Sequence, residues 1–396
     1  MKEGLWISEL NERSDVRRTF AATQPVKFYD TTLRDGEQSV GVVLTPQQKL
    51  EIAQGLDALG IGRIEAGFPR VSAEDAEAFG MIVKAGLKAE IWGFGRAIRA
   101  DIDELLRLGA RATMIETPTS ALKLKAYGLT VEEAQRRAAD AIGYASKNGV
   151  RVAFFTVDGT RTNLDVLRSF YKNALEAGAE EVVVVDTIGA CGPEAVEFLV
   201  RQVSEWVGPR VPVHFHGHND FGVATACAVA AVRGGAAWIQ GTINGMGERA
   251  GNADLGEVAM ALSGLYGVPV EMNLKKIREI SSLVRRAAGH ELEPWKPVVG
   301  ENLFMRESGS VASQFHIPEA IEPFSAELVG ATRAIVLGKK SGIDSIAIKA
   351  KEQGMQLSTE QQQAVLAAVK RAGTEKRGLV TDAEFRTIVS RVQRSA

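Results

Sequence analysis

The sequence predicts an α/β protein: a (β/α)8 TIM barrel followed by a smaller, mostly helical C-terminal accessory region. Two observations predict the barrel. Short β-rich runs alternate with longer stretches of helical period, and this unit recurs eight times within about 250 residues, the usual size of the fold. A third observation disfavours a doubly wound open sheet, because no G-x-G-x-x-G turn follows the first β-rich run.

Composition limits the classes of function. The chain has 396 residues, of which 45% are apolar and 24% are charged, and its formal net charge is -2. That balance gives no electrostatic basis for binding nucleic acid or an anionic membrane. Its two cysteines, Cys191 and Cys227, predict no disulfide framework. This cysteine usage predicts a reducing, cytoplasmic setting. No apolar run reaches the length of a membrane span.

The predicted strands are short runs rich in β-branched and aromatic residues. They are Val26–Tyr29, Arg63–Ala66, Glu90–Gly93, Ala112–Ile115, Arg151–Thr156, Glu181–Val185, Val211–Phe215 and Ala237–Thr242. Amphipathic segments between them predict helices. These segments include Pro46–Leu59, Val131–Lys147, Leu164–Ala177, Pro193–Val207 and Gly222–Arg233.

Changes in composition predict three parts of the chain. Residues 1–24 are polar and lack the apolar core of a signal peptide, which predicts a loose or helical N-terminal arm. Residues 25–289 are the predicted TIM-barrel catalytic domain. Residues 290–396 are the predicted linker and C-terminal accessory domain, in which Thr359–Gly373 and Thr381–Arg394 read as surface helices.

A histidine-rich run, Val213–Asp220, closes the predicted seventh strand. Residues two apart on a strand point to the same side, so His216 and His218 would project together. Paired imidazoles suit a borderline metal such as zinc, manganese or cobalt. An isolated His-x-His pair is more often a pair of polar loop residues. His214, one step deeper, is predicted to be a core or supporting histidine.

Polar residues also follow the other predicted strands, at the end of the barrel where active sites lie. A structural ion-pair network across the barrel mouth is the alternative interpretation for the charged ones. The segments are Asp30–Gln38 after the first strand, Glu65 in the second, Asp158 and Arg161 after the fifth, Asp186-Thr187 after the sixth, and Asn244–Asn252 after the eighth.

One carboxylate, two neutral imidazoles and an amide oxygen can hold a divalent metal such as Mg, Mn, Zn or Co. Such a metal would polarise the carbonyl group of a 2-oxo acid. Arg34 suits an oxygen that becomes negative during a reaction, and Thr187 can offer a hydroxyl to a carboxylate. The four predicted ligands are Asp35, His216, His218 and Asn252.

Together these residues resemble the α-isopropylmalate synthase/homocitrate synthase family, from about Val26 to beyond Gly342. The motifs that carry the resemblance are Asp30–Gln38, His216-Gly217-His218-Asn219-Asp220-x-Gly222 and Gly247–Asn252. The family also belongs to the wider group of barrel metal-dependent lyases and synthases. Aspartate at position 35 is more similar to isopropylmalate or nitrogen-fixation homocitrate synthases than to lysine-pathway homocitrate synthases.

The resemblance implies a (β/α)8 barrel, usually in a homodimer whose C-terminal region reaches into the partner's active site. It implies acetyl-CoA as a partner substrate and metal ligation by the four residues named above. Substrate binding is assigned to Arg34, Gln38, Glu65 and Thr187. Because the length leaves no room for a leucine-sensing domain, leucine feedback is not expected.

The sequence departs from the family where the family deprotonates acetyl-CoA. Val157 stands at the glutamate of the Glu-Asp pair after strand five, and Ile321 stands at a tyrosine. Arg306–Val311 lacks both histidines of a His-Glu-Ser-Gly-Ile-His run, and Pro118–Lys123 replaces a Ser-Asp-x-His-like run. Valine and isoleucine cannot move a proton.

Three interpretations follow from this altered half of the site. The first is a divalent-metal-dependent acyltransferase that condenses acetyl-CoA with a 2-oxo acid, with its base relocated to Asp158, Glu307 or His316. The second is a metal-dependent lyase or aldolase that works without CoA. The third is a non-catalytic relative, which a retained Arg34 disfavours. We carry the first forward, with Arg34, Asp158 and Glu307 as the predicted catalytic residues.

Overall fold

The computed structural model describes residues 3–17 and 25–395, so part of the predicted N-terminal arm lies outside the described residues. The chain divides into two compact units. One comprises residues 8–292, and the other combines the residues before position 8 with those from position 293 onward. Within the described ranges, no helix is both long and apolar enough to cross a membrane.

The first unit contains a closed barrel of eight parallel strands, which confirms the predicted fold class. Strand β1 pairs with both β2 and β8, and this closes the barrel. The strands are β1 (Lys27–Asp30), β2 (Arg63–Glu65), β3 (Glu90–Arg96), β4 (Ala112–Pro118), β5 (Arg151–Val157), β6 (Glu181–Asp186), β7 (Val213–Gly217) and β8 (Trp238–Gly241).

All eight predicted strands are present, but several ends differ. Strand β4 continues past the predicted Ile115 to Pro118, and β7 begins at Val213 and runs through Gly217. The predicted end of β4 was wrong because Glu116 reads as a loop residue by polarity, whereas it keeps the alternation of the strand. This shift of β7 by two residues places His216 inside the strand itself.

Helices surround the barrel and continue into the second unit. Pro46–Leu59 shows the local cause: Thr45 and Gln48 form a reciprocal cap at its start, and Gly60 ends it with φ +90°. The helices are α1 (Ser14–Arg17), α2 (Pro46–Leu59), α3 (Ala73–Lys84), α4 (Arg99–Arg107), α5 (Ala121–Tyr127), α6 (Val131–Lys147), α7 (Leu164–Glu176), α8 (Pro193–Val207), α9 (Ala224–Gly234), α10 (Leu255–Met260), α11 (Ile277–Ala288), α12 (Gly309–Ala312), α13 (Ile343–Glu352), α14 (Thr359–Lys376) and α15 (Asp382–Ser395).

The barrel interior is filled by apolar side chains from alternate residues of the strands, as the fold requires. Phe94 of β3 and Phe155 of β5 meet edge to face, with ring centroids 5.5 Å apart. The cluster also contains Tyr29, Trp92, Met114, Val183, Val185 and Trp238, with Val157 and Phe68 packed against it.

An ion-pair cluster occupies the strand starts. Arg63 donates to both carboxylate oxygens of Glu181 at 2.6 and 2.9 Å. Its guanidinium lies 4.6 Å from the ring centroid of Trp92 and 3.8 Å from that of Trp238. The Nε2 atom of His214 lies 2.6 Å from Glu181. His214 is thus a core histidine of the barrel, as predicted.

The second unit has a short parallel pair, β9 (Met305–Arg306) and β10 (Ala334–Ile335), and an apolar cluster formed largely by α13, α14 and α15. The two predicted surface helices are present as α14 and α15. The described start of the chain joins this unit, because the Trp6 amide donates to the Pro323 carbonyl at 2.9 Å and Leu5 bridges Phe324.

Candidate active site

Three buried side chains converge at the C-terminal mouth of the barrel. The Nε2 atoms of His216 and His218 lie 3.0 and 3.4 Å from Oδ2 of Asp35, and 3.4 Å from each other. The side-chain parity of β7 brings the two imidazoles together, while Asp35 comes from the loop after β1. Ligand atoms of the three residues all lie within 4.8 Å of one another, so they could hold a metal ion.

Asn252, the fourth predicted ligand, lies beside this cluster. Its backbone pairs with that of His218, and its Nδ2 donates to the Met246 carbonyl at 3.1 Å. Its Oδ1 is buried and has no hydrogen-bond partner in the described part of the chain. A Cβ atom at Gly247 would collide with the Asn252 amide, so glycine at that position permits the close approach.

The protonation states suit a cation. Burial lowers the pKa of His216 to about 4, which keeps the imidazole neutral and able to bind a metal. Burial alone would raise the pKa of Asp35, but Arg34 and the two imidazoles hold it well below its usual range. The Oδ1 atom of Asp35 is buried and has no hydrogen-bond partner among the described residues. Burying such an acceptor lowers the stability of the fold unless a cation or a donor binds it. These residues therefore fit a divalent metal.

Arg34 is held beside the three side chains. Its Nε donates to Oε2 of Glu65 at 2.6 Å, and its Nη1 lies 3.4 Å from Oδ2 of Asp35. Tyr29 donates to the other oxygen of Glu65 at 3.1 Å. The guanidinium lies 4.1 Å from the ring centroid of Phe94. Its Nη2 has no partner within the described ranges, so one donor remains for an incoming oxygen.

Thr187 follows β6 and retains a donor. The backbone N–H of Asp158 donates to its Oγ1 at 2.7 Å, so the hydroxyl hydrogen is left to bond to another acceptor. Arg249 fixes the same loop, because it donates to the Thr187 carbonyl at 2.7 Å and pairs with Asp220. Gln38 is exposed, in the short 3₁₀ helix Gly36–Gln38 that follows Asp35.

The three side chains predicted for proton transfer lie in different settings. Asp158 is buried with φ +65°; Arg161 donates to both of its oxygens at 2.8 and 2.7 Å, and Ser120 donates at 2.5 Å. Glu307 belongs to the second unit, where the Lys340 N–H donates to it at 3.0 Å. His316, in the same unit, is exposed.

Sequence reasoning missed Glu116, a residue of β4. It is paired in register with Arg96 of β3 and Phe155 of β5, and it lines a cavity of about 170 Å³ together with Val157. Burial raises the pKa of its carboxyl, although Arg34 and Arg96 oppose the shift. A period-2 pattern of Ala112, Met114 and Glu116 would have found it, had the strand been extended.

Comparison with protein families matches both parts of the chain. Residues 25–284 match the family described as HMGL-like, and residues 298–377 match the homocitrate synthase post-HMGL domain-like family. The first match covers the barrel, and the second falls within the second unit.

Three relatives illustrate the similarity. Homocitrate synthase AksA of Methanopyrus kandleri is 43% identical over 372 residues, covering 93% of each chain. The 2-isopropylmalate synthase of Methanocaldococcus jannaschii is 42% identical, covering 93% of this chain and 71% of that protein. A putative (R)-citramalate synthase CimA of Archaeoglobus fulgidus is 40% identical, covering 93% and 75%.

Solved structures share the barrel. The HMG-CoA lyase of Bacillus subtilis has a TM-score of 0.61 at 18% identity and covers 68% of this chain and 96% of its own. The carboxyl transferase domain of Rhizobium etli pyruvate carboxylase has a TM-score of 0.54 at 18% identity, covering 69% and 49%. At these identities the likeness concerns the fold.

Proposed function

Since the chain belongs to the HMGL-like family and, within it, to the synthases of homocitrate, 2-isopropylmalate and citramalate, we propose that it condenses acetyl-CoA with a 2-oxo acid. The product is a 2-hydroxy acid of the alkylmalate or homocitrate type, and CoA is released. Members of this family use a divalent metal. The acyltransferase interpretation is thereby favoured over the non-catalytic one.

The observation that carries the proposal is the convergence of Asp35, His216 and His218 beside the unpaired Nη2 of Arg34. Asp35, His216, His218 and Asn252 would hold the metal, which supplies Lewis-acid polarisation of the 2-oxo acid carbonyl when bound. The mixed nitrogen and oxygen set is compatible with Mg, Mn, Zn or Co.

The substrate roles follow from the donors that remain. Arg34 stabilises the oxygen that becomes an alkoxide, because its Nη2 is a buried, charged donor without a partner among residues 3–17 and 25–395. Thr187 donates its hydroxyl to the substrate carboxylate. Both carboxylate oxygens of Glu65 accept hydrogen bonds, one from Tyr29 and one from Arg34. Its proposed part in substrate binding is therefore to orient Arg34. Gln38 lies in the loop beside Asp35 and is proposed to contact the substrate there.

Asp158 and Glu307 were the predicted proton carriers. Asp158 could accept a proton only by giving up its ion pair with Arg161, and Glu307 would have to release the Lys340 loop. Family resemblance also supports a homodimer, and the absence of a disulfide framework supports a cytoplasmic location. Neither a nucleic acid nor a membrane is proposed as a partner.

The test is a thiol-release assay on metal-loaded protein with acetyl-CoA and a panel of 2-oxo acids, from glyoxylate and pyruvate through 2-oxoisovalerate and oxaloacetate to 2-oxoglutarate. We expect CoA release with one member above the rest. Without CoA release from any of them, the lyase interpretation, which the replacement of the family glutamate by Val157 favours, takes its place. Release of a 2-oxo acid from 2-hydroxy or 4-hydroxy-2-oxo acids would then support it.

A further inference from the structure

We propose that Glu116 is the base that removes a proton from the methyl group of acetyl-CoA, in place of the family glutamate that Val157 replaces. The inference rests on the proposed condensation and names the group that carries out its first step. It moves the carboxylate from β5 to the neighbouring strand β4 and keeps it at the barrel mouth.

The register of the two strands supports the replacement. Glu116 is the partner of Phe155, and Val157 is the partner of Pro118 two residues further along β4. Because parallel neighbours in register point to the same side, Glu116 faces the barrel with Phe155, whose ring contacts His216 at a centroid distance of 5.3 Å. A carboxylate at position 116 of β4 or at position 157 of β5 would therefore face the same part of the barrel mouth.

Glu116 and Val157 share more than their strands. Both line the cavity of about 170 Å³ described above, together with the apolar residues Ile98 and Leu129, the ring of Tyr127, and two arginines, Arg96 and Arg137. The apolar side chains of this wall can pack against a neutral thioester methyl group. The residue that replaces the family base and the residue proposed to take its task thus border one space.

Glu116 also differs from the other carboxylates at the strand ends. It accepts no hydrogen bond from any residue in the described part of the chain. A carboxylate without donors binds a proton more strongly than one that is ion-paired. The other carboxylates, Asp30, Asp35, Glu65, Asp158 and Asp186, all accept hydrogen bonds or ion pairs.

The charges around Glu116 are consistent with this task. Burial raises the pKa of the Glu116 carboxyl; Arg34 and Arg96 oppose this shift, and Asp101 and Glu65 add to it. Arg96 is engaged with Asp101 through Nε and Nη2 at 2.9 and 3.0 Å, so it does not form an ion pair with Glu116. Within the described part of the chain Glu116 therefore has no ion-pair partner, and it borders the cavity in which the thioester would lie.

The step balances without an external reagent. Glu116 takes one methyl proton, and the C–H electron pair becomes the enolate of acetyl-CoA. The enolate carbon bonds to C2 of the 2-oxo acid, and the carbonyl π pair moves to its oxygen beside Arg34, where water supplies a proton. The proton on Glu116 leaves to solvent, and water cleaves the thioester to give a carboxylate and the CoA thiol.

The experiment compares wild type, Glu116→Gln and Glu116→Asp, all loaded with metal, using CoA release from acetyl-CoA and from methyl-deuterated acetyl-CoA. Removal of a base should lower kcat of Glu116→Gln by about 10²–10⁴-fold. The 2-oxo acid affinity measured by calorimetry should stay within about twofold. Glu116→Asp, which moves the carboxylate, should be slower and show a larger isotope effect than wild type. Glu132→Gln, an exposed glutamate of α6, is the matched control.

Rescue separates chemistry from folding. Glu116→Ala should regain activity as formate is added, because a small carboxylate can enter the vacated space. The proposal is overturned if Glu116→Gln keeps at least a third of wild-type kcat. It is also overturned if the loss appears as weaker 2-oxo acid binding with an unchanged isotope effect in Glu116→Asp. If the wild-type protein releases no CoA at all, the proposed function itself has failed, so the two failures are distinct.

Discussion

The Nε atom of Arg34 donates to Oε2 of Glu65 at 2.6 Å, and both side chains are buried. Glu65 receives a second hydrogen bond from Tyr29 at 3.1 Å. A rigid guanidinium is thereby held with Nη1 near Asp35 and Nη2 unpaired. An oxygen that gains charge at this point meets a donor that is already oriented, which is the condition for efficient electrostatic stabilisation.

Glu65→Gln should lower kcat by about 10–100-fold, because the neutral amide cannot hold the guanidinium as the carboxylate does. Arg34→Lys should lower kcat by about 10²–10³-fold through loss of the oriented donor. If Glu65 acts through Arg34, the double variant should be no slower than Arg34→Lys alone. Steady-state kinetics with metal content measured in each variant checks this; additive losses would contradict the positioning role.

His218→Ala should abolish metal-dependent turnover, because it removes one of the three clustered ligand atoms. Changing a residue that supports a metal ligand lowers the metal affinity by about 10–100-fold, so removing a ligand should lower the metal affinity by more than about 100-fold. Calorimetric titration with Mn, Co and Zn after dialysis against chelator measures this. His290→Ala alters an exposed histidine and serves as the control; full turnover of His218→Ala with no metal bound would falsify the metal assignment.

Thr187→Val should raise KM for the 2-oxo acid by about 10–100-fold, the usual loss for a hydrogen bond to a charged group. The metal affinity should not change. Thr187→Ser keeps the hydroxyl that accepts from Asp158, so it should stay within a few-fold of wild type. A larger rise in KM for serine than for valine would show that the methyl group, which valine keeps and serine loses, carries the interaction and not the hydroxyl.

The sequence was sufficient for the features that repeat locally and insufficient for one that depends on a strand end. His216 and His218 were predictable because side-chain parity holds wherever β7 starts and stops, and Asp35 because its motif directly follows β1. Glu116 was missed because polarity suggested that β4 ended at Ile115. Only pairing with Arg96 and Phe155 keeps that glutamate in the strand.

Long-range contacts were out of reach for the same physical reason. Nothing in the local pattern around Leu5 indicates that it bridges Phe324. The local sequence around Asp158 also does not show that Arg161 and Ser120 donate hydrogen bonds to its carboxylate. Ser120 comes from the loop after β4, far from Asp158 in sequence. Sequence pattern predicts which side chains reach the barrel mouth, and tertiary packing decides which of them remain free.

The Arg63–Glu181–His214 cluster should make the barrel sensitive to acid. Burial opposes ionisation of Glu181, but His214 and Arg63 lower its pKa from 4.5 to about 2. A depressed carboxyl pKa contributes stability that is present above pH 4.5 and is lost as the pH falls towards 2. The shift corresponds to about 3 kcal/mol. Burial also lowers the pKa of His214, which costs further stability as the pH falls below 6.5.

Urea unfolding midpoints measured from pH 7 to pH 3 test this relationship. The wild-type midpoint should fall steadily below pH 6.5. Glu181→Gln removes the anionic partner of two buried groups and should lower the free energy of unfolding at pH 7 by about 3–5 kcal/mol. Its midpoint should also depend less on pH below 4.5, because the titrating carboxyl is gone. Glu180→Gln changes the exposed neighbouring glutamate and should reproduce the wild-type curve; the same steepness in Glu181→Gln would assign the acid sensitivity to other groups.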